Sequence, residues 1–195
     1  MTQPHAKIIA LVGLAGSGKS SAVEYLTEKG FPKIYFGGVI YKAMDEAGIE
    51  KTWDNQQKFR EEIRQREGKD FVIRRVIKNI RDLINAGQNK IVLDGLYTWS
   101  EYKILKHEFP GQVVVIAIVT PKHLRYQRMI KRPERPMQPR EVDQRDWSEI
   151  ENLEKGGPIA IADYFIINDS DLTQLHQKID TVTRDAHFCK SPEQC

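Results

Sequence analysis

Gly13-Leu14-Ala15-Gly16-Ser17-Gly18-Lys19-Ser20 is the stretch on which the reading of the fold turns. Before it, Lys7 to Val12 is a short run rich in β-branched residues; after it, Ala22, Val23 and Leu26 recur at helical spacing between Ser20 and Lys29. Strand, glycine-rich turn and helix, in that order, form the setting in which the spacing G-x-x-x-x-G-K-S has a mechanism. Glycines let consecutive backbone N–H groups converge on anionic oxygens, and the start of the helix adds positive potential. A lysine at the seventh position can reach the outer phosphates of a nucleoside triphosphate. We therefore expect Gly13, Ala15, Gly16, Ser17, Gly18, Lys19, Ser20 and Ser21 to cradle ATP, with the Ser20 hydroxyl a ligand of Mg²⁺.

A second anchor lies downstream. Ile91-Val92-Leu93-Asp94 ends an apolar strand with a carboxylate, the arrangement that orients Mg²⁺ or its waters beside a phosphate loop. Gly95 follows, so the second acidic residue with which mechanical ATPases activate water is missing. Asp94-Gly95-Leu96-Tyr97 lacks the spacing of a GTPase switch, and Asn89-Lys90-Ile91-Val92 lacks the aspartate of a guanine-reading motif. Hydrolytic motors and G proteins are disfavoured on these grounds.

The remaining segments alternate. Lys33 to Phe36 reads as a strand, and Val39, Ile40 and Met44 as a helix that Gly48 would end. Asp54 to Gly87 is highly charged, yet Val72, Val76, Ile80 and Leu83 keep a helical stripe behind an expected N-cap at Asp70. Thr98 and Glu101 form a capping box ahead of Trp99, Tyr102 and Leu105. Val113 to Val119 is apolar throughout, as expected of a parallel strand covered on both faces, and should be the best hidden of the sheet. Pro121 can open the next helix, whereas Pro133, Pro136 and Pro139 favour a mobile loop until Asp143 caps a further helix closed by Gly156, Gly157 and Pro158. Tyr164 to Ile167 is a last strand; Leu172, Leu175, Ile179 and Val182 stripe a last helix. Strands alternating with helices make an α/β fold with an open, mostly parallel sheet and helices on both faces.

In 195 residues, 40% hydrophobic and 29% charged, one well-filled domain is expected. The Val113–Val119 run is far short of the roughly 20 residues that cross a bilayer, and no signal-peptide h-region stands out, so a cytoplasmic location is expected. Cys189 and Cys195, both near the C-terminus, read as ordinary thiols. A formal net charge of +3 does not argue for nucleic acid. Its distribution says more: Lys122, Arg125, Arg128, Lys131, Arg132, Arg135, Arg140 and Arg145 crowd one segment. On a helix, Arg125, Arg128 and Arg132 would share a stripe and clamp phosphates, with Arg145 pointing back into the same space.

With these features in hand, the chain resembles the nucleoside-monophosphate-kinase and dephospho-CoA-kinase-like group of P-loop kinases, closest to its archaeal-type branch. The resemblance runs from about Lys7 to about Val182. It is carried also by Gly37-Gly38-Val39-Ile40, Arg64-Gln65-Arg66-Glu67-Gly68-Lys69-Asp70, Arg145-Asp146 and Ala162-Asp163-Tyr164-Phe165-Ile166-Ile167-Asn168. It implies a three-layer P-loop NTPase fold with a five-stranded parallel core (residues 5–37, 89–130 and 150–183), a helical acceptor-binding insertion (38–88), an arginine-rich lid (131–149) and a tail (184–195). It also implies an adenine site near Asn168. Catalysis would fall to Lys19, Asp94, Arg128, Arg132 and Arg145.

Two positions depart from the group. Gly37, Gly38 and Tyr41 stand where relatives carry Gly-Asp-x-x-Arg, and Tyr97 stands where an arginine is usual. A guanidinium offers a planar fork of donors and a phenol only one hydroxyl and a ring face, so the usual acceptor clamp is weakened. Lys42, Arg64, Arg74 or Arg75 would have to restore it, alongside Tyr41 and Tyr97. The lost aspartate disfavours a hydroxyl acceptor and the lost arginines a monophosphate. A kinase acting on a small nucleotide-like acceptor leads; a nucleotide-sensing protein with little transfer, and a nucleic-acid end kinase, are the alternatives. Oligomeric state is not readable from these residues.

Overall fold

A computed structural model describes residues 7–68, 70–133 and 135–186, without the side chains of residues 53, 54, 56, 57, 60 and 64. The expectations for Cys189 and Cys195, for most of the tail and for the Arg64 side chain lie outside the described residues. In chain order, β1 (Lys7–Val12) leads through the glycine-rich stretch into α1 (Lys19–Glu28). Then come β2 (Lys33–Tyr35), α2 (Phe36–Glu46), α3 (Trp53–Glu67) and α4 (Phe71–Asn85). The second half holds β3 (Lys90–Asp94), α5 (Trp99–Glu108), β4 (Val113–Val119), α6 (Lys122–Lys131), α7 (Pro139–Glu151), α8 (Gly156–Ala160), β5 (Tyr164–Ile167) and α9 (Leu172–Asp185).

The five strands form one sheet in the order β2-β3-β1-β4-β5, and every pairing is parallel. Side chains of β1 alternate between two cores, as the two-residue period of a strand requires. Ile8, Ala10 and Val12 face the core shared with α2, α3, α4 and α5; Ile9 and Leu11 face the one shared with α1 and α9. The charged insertion is therefore apolar where it matters: Phe59, Ile63, Val76 and Ile80 pack into the first of these cores.

The most hidden strand is β1, where residues 8–12 have no exposed surface, and not β4, where Val114 and Val119 are only partly buried. Uniform apolarity does not distinguish the two; the sheet order does, since β1 lies at the centre with helices over both faces. Burial of each large apolar side chain there contributes about 1.5–3 kcal/mol.

Helix starts follow local chemistry in part. Thr98 and Glu101 form the expected reciprocal box at α5. At α4 the start after Asp70 is as expected, but the Asp70 side chain makes no cap bond and instead lies 3.4 Å from Arg74. The proline-rich segment ahead of α7 departs furthest from expectation. Helix α7 begins already at Pro139, where a missing N–H costs nothing, with Gln138 and Glu141 forming the box. Asp143 is thus inside the helix, accepting from the Tyr126 hydroxyl and pairing with Lys122 at 2.8 Å. Gly156, Gly157 and Pro158 build the short α8 instead of merely ending α7. Among the described residues no helix is long and apolar enough to cross a membrane.

Candidate active site

Strand register brings the chemistry together. Leu11 and Tyr35 both stand beside Asp94 across the sheet, so β1, β2 and β3 deliver the phosphate loop, a phenol and a carboxylate to one edge. That edge is the carboxyl end of a parallel sheet, where open α/β folds bind ligands. A cavity of about 710 Å³ opens there.

The loop is held from behind. Asn168, buried at the end of β5, donates its amide to Ser17 O at 2.8 Å, and Thr120 Oγ1 lies 3.0 Å from the same carbonyl. Gly16 and Gly18 adopt left-handed backbone, with φ of +77° and +92°. A Cβ on Gly16 would stand 2.8 Å from Arg125 O, and one on Gly18 would collide with the Asn168 amide. Gly18 ends the loop as the N-cap of α1 without any side-chain cap, which leaves the first amides of that helix for a ligand. Ser17 Oγ is buried without a hydrogen-bond partner among the described residues. An orphaned hydroxyl, open helix amides and a lysine in one turn fit a polyphosphate.

Lys19 pairs with Asp94, both side chains 15% exposed. The ammonium and the carboxylate thus hold one another at the mouth of the loop, beside the exposed hydroxyl residue Ser20. One carboxylate and one hydroxyl match the sparse protein ligation typical of Mg²⁺ on phosphates.

The arginine stripe divides by depth. Arg128 and Arg132 line the cavity, and Arg128 reaches Thr120 Oγ1 at 3.4 Å and Ser170 O at 3.3 Å. Arg125 does not point with them. It is buried, forks onto both carboxylate oxygens of Asp146 at 2.9 and 2.6 Å, and donates to Ala15 O at 3.1 Å. It is a strut tying α6 and α7 to the loop. Arg145, beside Asp146 on α7, lines the cavity and donates through Nε to Glu149 at 3.0 Å.

Of the expected site residues, Gly13, Ala15, Gly16, Ser17, Gly18, Lys19, Ser20, Ser21, Asp94, Tyr97, Arg128, Arg132, Arg145 and Asn168 all line this one cavity. Asn168 spends its amide on the loop; Ser170, Asp171 and Leu172, just after it, are also at the wall. Among the described side chains, those expected to form the acceptor clamp are not gathered there, Tyr97 excepted. Lys42 borders a separate hollow with Lys33 and Asp82, and Arg75 pairs with Glu46 at 3.0 Å beside Arg74. Tyr41, half-buried on α2, is not among the lining residues; Tyr35 is.

Three wall residues carried no sequence signal of function: Tyr35, Glu149 and Lys155. Glu149 follows Arg145 by four positions, a spacing that could have flagged a pair. Lys155 Nζ lies 2.8 Å from Glu149 and 5.2 Å from the centroid of the Tyr97 ring. Burial pushes the Tyr97 phenol well above its usual range, reinforced by the charge of Asp94 and Glu149, so it stays protonated as a donor. Burial opposes ionisation of Glu149, yet Lys155 and Arg145 together hold its carboxyl below the ordinary value.

A parallel sheet in this order, with a phosphate loop after its central strand and arginines facing it from the α6–α7 segment, defines a P-loop NTPase fold of the kinase kind. Solved structures share it: TT1252 from Thermus thermophilus, at 18% identity, has a TM-score of 0.65 over 93% of this chain and 98% of that one. The dephospho-CoA kinase from Campylobacter jejuni, at 17% identity, has a TM-score of 0.54 over 93% and 98%. The chain belongs to the AAA domain family, whose model it matches over residues 9–154, and to the UPF0200 proteins. The UPF0200 protein of Thermococcus onnurineus is 31% identical over 176 residues, 88% of this chain and 94% of the relative.

Proposed function

We propose that this chain is an ATP-dependent small-molecule kinase that moves the γ-phosphoryl of MgATP onto a nucleotide or nucleotide-like acceptor, of the nucleoside-monophosphate or dephospho-CoA kind. One observation carries the reading: loop amides, Lys19, Asp94 and three arginines of the α6–α7 segment converge on a single cavity. MgATP, when bound, supplies the transferable group; Ser20 and Asp94 would hold the metal, and the loop with Lys19 the outer phosphates. With the nucleotide bound, Lys19 would pass from the Asp94 carboxylate to the phosphates and leave that carboxylate for the metal. Arg128, Arg132 and Arg145 neutralise charge on the moving group, and a single such arginine contributes about 10³–10⁵ in rate in comparable systems. Tyr97 and Tyr35 offer a donor and a ring face at the acceptor end, and Asp94 stands beside Tyr35 in the strand register.

Purified protein incubated with labelled MgATP and a panel of nucleoside monophosphates, nucleosides and dephospho-CoA should yield acceptor-dependent ADP with at least one of them. No turnover with any would sink the transfer reading. A second reading, nucleotide sensing with little transfer, is favoured by the acceptor end, where Tyr41, Lys42 and Arg75 stay outside the cavity. Tight MgATP binding without turnover would select it.

A further inference from the structure

Glu149 bridges two cations of unlike freedom. Its Oε1 accepts from Arg145 Nε at 3.0 Å, and its Oε2 from Lys155 Nζ at 2.8 Å. The Arg145 side chain is 44% exposed, whereas those of Glu149 and Lys155 are 10% and 4% exposed. Lys155 is also held by its backbone, whose N–H donates to Glu149 O at 3.1 Å where α7 turns into α8. Both cations line the cavity, but one partner of the carboxylate is half exposed and the other is built into the wall.

That asymmetry matters because a buried carboxylate stripped of its cation costs far more than the pair contributes. A lid arginine that serves as the sole partner of a buried glutamate could not leave it cheaply. With Lys155 in place it can. The buried Lys155 ammonium donates to Glu149 and rests against the Tyr97 ring, so Glu149 is the carboxylate it serves among the described residues. Burial first, and then the charge of Lys19 and Arg145, oppose its protonation, while Glu149 favours it. The wall is therefore crowded with cations before any phosphate arrives.

We propose that Lys155 is a positioning residue acting through Glu149: it stays on the carboxylate when Arg145 swings from it to the phosphates of a bound nucleoside triphosphate. The wall carboxylate is the resting place of the lid arginine, and Lys155 is what lets it depart. This deepens the kinase reading and rests on its nucleotide site, not on transfer or on the identity of the acceptor.

Calorimetry of the full chain with MgATP alone tests it. Lys155→Met should weaken binding about tenfold, because Glu149 then pins Arg145, and Lys155→Arg should recover it to within about threefold. Adding Glu149→Gln to Lys155→Met should also restore binding, since nothing pins the arginine; a merely structural lysine predicts a deeper loss. Parental affinity in Lys155→Met, or a double variant weaker than the single one, overturns the proposal. Should circular dichroism show Lys155→Met unfolded, Glu149→Gln alone decides: tighter binding than the parent supports release of Arg145, and equal or weaker binding overturns it. A parent chain that ignores MgATP removes the nucleotide reading itself, an outcome distinct from a binding parent whose Lys155→Met variant is unchanged.

Discussion

The two walls of the cavity achieve the same electrostatic end by different means. On the loop side, positive potential comes from backbone amides and one lysine within eight consecutive residues, fixed by glycine conformations and strapped by Asn168. On the other side it comes from the long side chains of Arg128, Arg132 and Arg145 in the α6–α7 segment, the last held by Glu149 and, through it, tied to Lys155. The amides of the first wall are preorganised, which is what lets donors stabilise charge without reorganising during reaction. The second can move, because Arg145 is half exposed while its carboxylate is not. The join between them is the Arg125 fork, which touches both Ala15 O and Asp146.

The comparison can be broken first at Lys19. Lys19→Ala should lower acceptor-dependent kcat/KM by about 10³-fold in a chain that circular dichroism shows still folded, since the proposed role of that side chain is on the phosphates. Survival of transfer would show that the loop wall does not carry the charge. Next in size is the join: Asp146→Ala strands the Arg125 guanidinium in the interior and should cost about 3 kcal/mol in denaturant unfolding. A loss below about 0.5 kcal/mol, the range of ordinary surface changes, would mean that the walls are not tied there.

On the α6–α7 wall, Arg132→Ala should reduce kcat about 10²-fold while MgATP affinity changes much less, if its role is confined to the transferring group. Equal losses in binding and rate would assign it to ground-state holding instead. The smallest effect concerns acid. Glu149 has a folded value depressed below 4.5, so its pairing contributes stability above that pH, and the contribution is lost as pH falls through the depressed value. Melting temperature should drop across that window in the parent, and Glu149→Gln should flatten the slope; an unchanged slope would show that the pairing contributes nothing.

Much of the loop wall was legible because its determinants are contiguous. Glycine at positive φ, a lysine at the start of a helix and an apolar strand ahead of them are local demands, and so is the Thr98–Glu101 box. The α6–α7 wall resisted reading for the opposite reason. Helical periodicity states that Arg125, Arg128 and Arg132 share a stripe, but not how deep each one lies; depth depends on Asp146, on the next helix. Prolines at 133, 136 and 139 suggested a loop, and only the Gln138–Glu141 box with Pro139 at the first turn explains why α7 starts there. Apolarity alone likewise favoured β4 as the hidden centre, a place that sheet order gives to β1.

From its residues alone the chain determined an α/β architecture, a phosphate-binding turn and a strand-end carboxylate, because each follows from near-neighbour sterics, periodicity and backbone hydrogen bonding. Tertiary structure alone decided which charged side chains face the cavity and which brace it, that Tyr35 and not Tyr41 stands at the wall, and that Lys155 joins it there. Those outcomes depend on burial and on pairings between distant segments, where the cost of an unpaired interior charge, and not local preference, selects the partner.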